Sequence, residues 1–408
     1  MSDIQRTVDA VWRIESARIV ATLAKMTGDL SLAEELAQEA LVDALTQWPE
    51  SGVPHNAGAW LTAVAKRKAI DDWRRRQRLD ERYRAIAHDL SEASEDEWQP
   101  LDDDVIRLVF TACHPVLSHE AQVALTLRVV AGLTTQEIAR LLLVPVATVQ
   151  QRIVRAKKTL SAAHVPFEAP EPGEWTARLS AVLGVVYLVF TEGYAATSGD
   201  RWIRTEIANE ALRLGRVLAG LLPGEPEVHG LVALMEFQAS RFGARVAQDG
   251  SSILLGEQDR ARWDHAQIQR GRAALERADA VGRGRGNYAL QAAIAECHAV
   301  AASIEETDWE RIVLLYEALG RLAPSPVVEL NRAVAVSMAS GPADALHIVD
   351  RLAAQGQLRG SHLLPSVRGE LLARLGRTDE ARAELITAAG LATNERERAV
   401  LRAKAAAL

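Results

Sequence analysis

The sequence predicts an all-α protein with two small helical domains, the second containing a helix-turn-helix, and a C-terminal domain of TPR-like helical repeats. Ala, Leu, Arg and Glu dominate, while Val and Ile rarely alternate with polar residues, so the two-residue period of a strand is missing. Hydrophobic residues make up 48% and charged residues 25% of the chain, which is typical of a globular protein. A length of 408 residues favours two or three domains over one core.

Charge and cysteine content restrict the possible functions. The formal net charge is -7, and residues 1–165 hold 20 Lys+Arg against 23 Asp+Glu. Because phosphate neutralisation supplies much of the affinity for DNA, this chain should bind DNA weakly on its own. Cys113 and Cys297 are the only cysteines of the sequence, which favours a reducing cytoplasm over a disulfide framework. The sequence shows neither a long uncharged apolar run nor a signal peptide, so we expect no membrane span.

Residues 10–78 form the first predicted domain. The segment DLSLAEELAQEALVDALTQW (29–48) has the spacing of an amphipathic helix. Its outer face is acidic, which by itself indicates only a solvated surface, and it carries Glu34, Glu35, Gln38 and Glu39. The predicted inner face consists of Ala33, Leu36, Ala37, Ala40, Leu41, Ala44 and Trp48.

The second half of this domain is a basic helix, AWLTAVAKRKAIDDWRRRQR (59–78). Trp60 is expected in the core, whereas Trp73 is equally compatible with the core and with stacking on exposed bases. Basic side chains beside an aromatic ring suit DNA whose strands are being separated. An acidic segment, residues 79–104, follows as a predicted linker.

Residues 105–163 form the second predicted domain, which contains LTTQEIARLLLVPVATVQQRIVRAKKTL (133–160). Thr134 and Glu137 match a capping box, and Pro145 suits the start of the next helix. Gln and Arg side chains can read adenine and guanine edges in the major groove, and lysines suit phosphate contacts. The predicted inner stripe of the second helix is Val149, Ile153, Ala156 and Leu160, and its polar face carries Gln150, Gln151, Arg152, Arg155, Lys157 and Lys158.

Residues 176–408 form a third predicted domain beyond a Pro-rich boundary, VPFEAPEPGEW (165–175). Two helix pairs, at 324–352 and 364–391, contain Gly341 and Gly376 at corresponding positions. These glycines are 35 residues apart, close to the period of tetratricopeptide repeats.

The order of an acidic helix with AEELAQEAL, the basic helix AWLTAVAKRKAIDDWRRR, an acidic linker and a helix-turn-helix ending RIVRAKKTL resembles a known family. It is similar to the extracytoplasmic-function sigma factors of bacterial RNA polymerase over residues 10–163. Three further segments resemble the subgroup with a C-terminal TPR-like extension: FTACHPVLSHEAQVALTLRVVAGLTTQEIARLLLVP (110–145), YLVFTEGYAA (187–196) and SPVVELNRAVAV (325–336).

The resemblance implies sigma region 2 at 10–78, region 4 at 105–163 and a regulatory or supporting extension at 176–408 in intramolecular contact with the sigma core. It implies core RNA polymerase, through its β′ clamp helices and β subunit, and promoter DNA as partners, without a cofactor, a metal or a membrane. The implied polymerase-binding residues are Glu35, Leu36, Gln38 and Glu39. The implied −10 residues are Asn56, Lys66, Arg67, Lys68, Trp73, Arg74, Arg75 and Arg76. The implied −35 residues are Thr148, Gln150, Gln151, Arg152, Arg155, Lys157 and Lys158.

Two other functions remain open from the sequence. A stand-alone transcriptional regulator with a TPR-like sensing domain explains the helix-turn-helix and the repeats, but it leaves residues 29–78 unexplained. An enzyme in the C-terminal domain would use Glu192, Tyr194 or Asp249, but no phosphate loop or metal-ligand spacing accompanies them. Cys113 and the neighbouring histidines lack further ligands for zinc, so we expect them to pack at a helix start.

Overall fold

A computed structural model describes residues 3–77, 102–142, 144–171, 173–194, 205–245, 253, 255–392 and 395–408. These residues form helices and no strand, which confirms the all-α prediction. The chain divides into two compact units, Met1–Val189 and Phe190–Leu408. None of the described helices combines the length and the apolar character that crossing a membrane requires.

The first unit opens with three helices that pack on one another. They are followed by four helices of the second small domain and by a long helix whose residues up to Val189 belong to this unit. The helices are α1 (Asp3–Thr27), α2 (Leu30–Ser51), α3 (Ala57–Gln77), α4 (Asp102–Ala112), α5 (His119–Val129), α6 (Thr135–Leu142), α7 (Val146–Ala162) and α8 (Trp175–Tyr194).

The amphipathic helix predicted at 29–48 is present as α2. Asp29 caps it by accepting hydrogen bonds from the backbone N–H groups of Ser31 at 2.7 Å and Leu32 at 3.3 Å. Trp48 is fully buried, and its ring meets that of Trp60 edge-on at 5.4 Å. Trp60 therefore contacts the core through Trp48, as its position in the sequence suggested.

The acidic linker predicted at 79–104 ends earlier than expected. Residues 79–101 lie outside the described part of the chain, but Asp102–Ala112 is a helix, so the last three linker residues form its first turn. Asp104 is buried. Its carboxylate accepts hydrogen bonds from Arg107 at 2.5 Å and from Lys25 of α1 at 3.3 Å, and these compensate for its lost hydration. Its charge anchors the second domain to the first.

A second contact between the two small domains lies at the turn after α5. Gly132 has a positive φ of 71°, and a Cβ atom there would lie 2.4 Å from the Ser16 hydroxyl oxygen of α1. A side chain at this position would displace the Ser16 hydroxyl and would strain the left-handed backbone of the turn.

The second unit contains ten further α-helices in its described part. Its most buried element is α10, in which every residue from Val228 to Phe237 is buried. The helices are α9 (Thr205–Leu221), α10 (Pro226–Ala239), α11 (His265–Ala280), α12 (Asn287–Val300), α13 (Trp309–Leu322), α14 (Pro326–Ala339), α15 (Pro342–Ala354), α16 (Leu363–Arg374), α17 (Thr378–Leu391) and α18 (Glu395–Ala407).

The helix pairs predicted at 324–352 and 364–391 correspond to α14 with α15 and α16 with α17. Gly341 and Gly376 connect the helices of each pair with positive φ angles of 109° and 74°. Ala345 and Ala381 are fully buried, so their small side chains lie where the paired helices meet. From α13 to α18 each helix packs on the next one along the chain, as in a repeat array.

Candidate nucleic-acid interface

The helix-turn-helix has the predicted start. The backbone N–H of Thr134 donates to Glu137 Oε2 at 2.8 Å, and the backbone N–H of Glu137 donates to Thr134 Oγ1 at 3.2 Å. This reciprocal pair is a capping box. Pro145 directly precedes α7, and its carbonyl accepts a hydrogen bond from the Thr148 N–H at 2.9 Å.

The inner stripe of α7 fixes the direction in which its polar face points. Val149, Ile153, Ala156 and Leu160 are all at most 5% exposed, and α7 packs on α5 and α6. Because residues three and four apart share a helix face, the residues between them lie on the other faces. The predicted stripe is therefore confirmed.

The predicted −35 residues do not share one environment. Gln150, Gln151, Arg155 and Lys158 are exposed, and Thr148 and Arg152 are half-buried. These side chains can form the groove-facing surface of α7. Lys157 instead points to α2, where its ammonium group is hydrogen-bonded to Glu34 Oε2.

Glu34 differs from the solvated acidic residue that the sequence suggested. It is only 7% exposed, because Lys157 covers one carboxylate oxygen and Arg128 Nε reaches the other at 2.5 Å. Burial by itself would raise the pKa of Glu34, but the charges of Lys157 and Arg128 outweigh it and lower the pKa below its ordinary value. Glu34 is therefore a carboxylate that joins the two small domains.

The predicted polymerase-binding residues lie near this contact. Glu35 and Glu39 are exposed and Gln38 is half-buried, whereas Leu36 is only 4% exposed and belongs to the core of the first domain. A crevice of about 370 Å³ lies between α2 and α7 beside the ion pair of Glu34 and Lys157. It is lined by Ser31, Glu34, Glu35, Gln38, Val154, Lys157 and Lys158.

The basic helix α3 begins at the loop predicted to face the −10 element. Asn56 is exposed, and its side-chain oxygen accepts a hydrogen bond from the Ala59 N–H at 3.0 Å, so it also caps the helix. Lys68 forms ion pairs with Asp43 at 3.1 Å and Glu39 at 3.3 Å. The hydrogen bond to Asp43 is the main cause of a raised pKa for Lys68.

The other predicted −10 residues are spread along α3. Arg67 and Arg74 are exposed, whereas Lys66 and Trp73 are half-buried. The side chains of Arg75 and Arg76 lie outside the described residues. The described part of α3 therefore presents at least two exposed guanidinium groups to solvent.

The Cys113 segment has a packing role. The Cys113 thiol lies 3.3 Å from the Thr126 hydroxyl, and Gln122 donates to the carbonyl groups of Cys113 and His114. Burial raises the pKa of the thiol to about 11. Within the described ranges, no three His, Cys, Asp or Glu residues form a group that could hold a metal ion. The side chains of Glu192 and Tyr194, and Asp249, lie outside the described residues.

Sequence reasoning missed two residues of this region, Glu34 as a buried group and Arg128 altogether. Arg128 follows VALTL in α5, and its guanidinium also donates to the Leu133 carbonyl at 3.0 Å. A lone Arg inside an apolar run, here followed by Val129 and Val130, is a signal for a buried partner. The sequence could not identify that partner, because it lies 94 residues earlier in the chain.

Comparison with known proteins matches three segments of the chain to family models. Residues 13–79 match sigma-70 region 2, residues 107–160 match sigma-70 region 4, and residues 178–279 match a family of unknown function, DUF6596. No solved structure matches the chain.

Two curated relatives cover different parts of the chain. An uncharacterized protein of Rhizobium meliloti is 44% identical over 386 residues, which are 92% of this chain and 89% of the relative. SigI of Mycobacterium tuberculosis, a probable ECF RNA polymerase sigma factor, is 29% identical over 164 residues, which are 39% of this chain and 56% of the relative. Both sigma-70 regions are thus present in order, in one packed unit. The matches to sigma-70 regions 2 and 4, together with the SigI relative, support an ECF-like sigma factor.

Proposed function

We propose that this sigma factor binds the β′ clamp helices of core RNA polymerase through α2, opens and reads the −10 element through α3, and reads the −35 element through α7. The observation that supports this division most directly is the buried stripe of α7. It leaves Gln150, Gln151 and Arg155 exposed on one helix, where their side chains can reach base edges in a major groove.

The acidic charge of the chain fits a factor that acts only on the polymerase. With a net charge of -7, repulsion from DNA opposes the contacts that local Lys and Arg side chains make with phosphates, so we expect the free protein to bind DNA weakly. On the polymerase, region 2 and region 4 engage one promoter together, and each contact raises the effective concentration for the other. The same acidity suits α2, since Glu35 is exposed to a basic partner and Glu39, paired with Lys68 at 3.3 Å, is exposed beside it.

The extension, residues 176–408, is proposed to regulate or support the sigma core. Its first helix, α8, begins against region 4: Trp175 lies 5.0 Å from the Phe110 ring, and Arg178 donates to the Phe110 carbonyl at 3.0 Å. These contacts belong to the first unit, so the helix that leads into the extension is held by region 4.

Transcription from purified components tests the proposal. Core polymerase with the full chain should give promoter-specific transcripts whose upstream sequences share −10 and −35 elements, and the chain should be retained by immobilised β′ clamp helices. A protein that binds an operator without polymerase and ignores the clamp helices would instead be a stand-alone regulator.

The role of the extension is tested with residues 1–194, which keep all of α8. We expect promoter-specific output to differ several-fold from that of the full chain, in the direction that shows whether the extension inhibits or supports. Equal output from both proteins would contradict a regulatory or supporting role.

A further inference from the structure

Glu34, Arg128 and Lys157 form an ion-pair cluster that joins the two DNA-reading domains, and we call this cluster the latch. Glu34 comes from α2 of region 2, Arg128 from α5 and Lys157 from α7 of region 4. The Glu34 side chain is 9% exposed, that of Arg128 15% and that of Lys157 17%. Glu34 is the carboxylate that offsets the charges of both cations in this cluster. Without it Arg128 and Lys157 would be two poorly hydrated cations side by side, and unpaired burial of an ion costs several kcal/mol.

Residues of the latch line both sides of the crevice. On the α2 side, Glu35 and Gln38 lie beside Glu34. On the α7 side, Lys158 lies beside Lys157. Glu34, whose ion pair joins α2 to α7, therefore lies among residues proposed to bind polymerase. Its partner Lys157 is a residue proposed to contact DNA.

The closed arrangement does not rest on the latch alone. Lys25 of α1 binds Asp104 at the start of α4, and the turn at Gly132 packs against Ser16. The latch is nevertheless the contact that includes the recognition helix. Opening the crevice exposes the three charges to water and leaves the apolar stripe of α7 against α5 and α6.

The proposed function requires a different arrangement. Elements centred near −10 and −35 are separated by roughly 25 base pairs, which is about 85 Å at 3.4 Å per base pair. In the structure α2 and α7 are joined by a direct ion pair. This ion pair holds region 4, which carries α7, against region 2, which carries the −10 helix α3. Two domains held together in this way cannot reach both elements at once, so region 4 must leave region 2 before a promoter is bound.

We propose that the latch is an autoinhibitory contact, which keeps the free sigma factor closed until core polymerase displaces region 4 from α2. This inference rests on the proposed function. A protein whose binding-competent form is a minor fraction binds with an affinity reduced by that fraction. If loss of the latch raises the open fraction from roughly one molecule in a hundred to roughly one in ten, with the other contacts still in place, the apparent affinity for polymerase rises about tenfold.

The direct test is the affinity of the full chain for core polymerase with Glu34→Gln. The amide has the shape of the carboxylate but cannot neutralise Arg128 and Lys157. Glu50→Gln is the matched control, because it removes the same charge from an exposed position of the same helix. We expect about tenfold tighter binding for Glu34→Gln and wild-type binding for the control. Wild-type or weaker binding by a folded Glu34→Gln protein would overturn the latch.

A second measurement does not depend on how the Glu34 variant folds. Ser31 and Val154 are both exposed and line opposite sides of the crevice, whereas the native Cys113 and Cys297 are buried. A Ser31→Cys, Val154→Cys protein is joined with a short cleavable dithiol-reactive linker. Linked protein should lose at least tenfold in promoter-specific transcription and regain it on cleavage.

The two experiments separate the latch from the proposed function. Full output from the linked protein would contradict the latch while leaving the sigma activity intact. If wild type, Glu34→Gln and the unlinked double variant all fail to bind polymerase, the proposed function itself is wrong.

Discussion

Among the described residues, Glu34 and Glu236 are two buried glutamates that each pair with two cationic side chains, but the pairs of Glu34 join two domains and those of Glu236 lie within one unit. Glu236 is 1% exposed and pairs with Arg216 at 2.6 Å and Arg270 at 3.4 Å, all within the second unit. Its two partners are nearly half-exposed, whereas the partners of Glu34 are largely buried. Arg216 and Arg270 can therefore keep most of their hydration if Glu236 is lost, and Arg128 and Lys157 cannot.

The difference between the two clusters teaches that burial alone does not define the role of an ion pair. The Glu236 cluster links neighbouring helices of one core, so we expect it to affect stability. The Glu34 cluster links two domains that must separate in the proposed function, so we expect it to affect binding.

The largest expected effect is on the stability of the second unit. Glu236→Ala removes a fully buried carboxylate and leaves a cavity in α10, which should cost about 2–3 kcal/mol of unfolding free energy. Calorimetry should show a lower unfolding temperature for one transition, with polymerase affinity unchanged. A tenfold change in affinity without loss of stability would remove the distinction between the clusters.

Acid should weaken the two units in different pH ranges. Burial, with the charges of Arg241 and Arg260, lowers the pKa of His298 to about 4 from 6.5. Since the unfolded histidine binds a proton first, the second unit should lose stability as pH falls from 6.5 towards 4, by about 3 kcal/mol. Unfolding measured across this range should show the loss, and His298→Phe should remove it.

The pKa of Glu34 is lowered, so the sign of its effect follows from the unfolded value of 4.5. Its stabilising contribution is complete above that pH and is lost as pH falls through the lower folded pKa. The latch should therefore stay closed between pH 6 and 8. Linker reaction between residues 31 and 154 measures closure, and a decline within that range would show that another group controls it.

A substitution on the exposed side of α7 should affect promoter recognition while leaving the ion pairs of Glu34 and Glu236 intact. Arg152→Ala should reduce promoter-specific transcription about tenfold, since a good base contact contributes about 1–3 kcal/mol. Core polymerase affinity should stay near the wild-type value. Arg18→Ala, which removes an arginine of α1 whose side chain is 41% exposed, is the control and should leave transcription unchanged. Collapse of polymerase binding in Arg152→Ala would contradict its assignment to DNA.

The smallest expected effect concerns the start of the helix-turn-helix. Thr134→Ala removes one half of the capping box and should destabilise the first unit by about 1 kcal/mol. Thr134→Ser keeps the hydroxyl and should restore most of that loss. Thermal unfolding followed by circular dichroism measures both, and equal loss in the two variants would assign the effect to the threonine methyl group.

Local chemistry explains what could be predicted. The capping box at Thr134 and the stripe from Val149 to Leu160 depend on residues three or four apart, and both are present. The repeat helices follow from the recurrence of Gly341 and Gly376, whose positive φ angles end one helix before the next begins. The linker boundary could not be placed from the sequence, because Asp104 lies in α4 and pairs with Lys25 of α1, which is remote in sequence.

The sequence by itself determined the helices, their inner faces and the resemblance to sigma factors, because hydrophobic periodicity and capping act within one or two helical turns. Only the tertiary structure decided that Glu34 is buried and that Lys157 faces α2 instead of solvent. An outward-facing position on an isolated helix is exposed until another domain covers it. Which domain does so depends on contacts between residues more than 90 positions apart, and no local pattern encodes them.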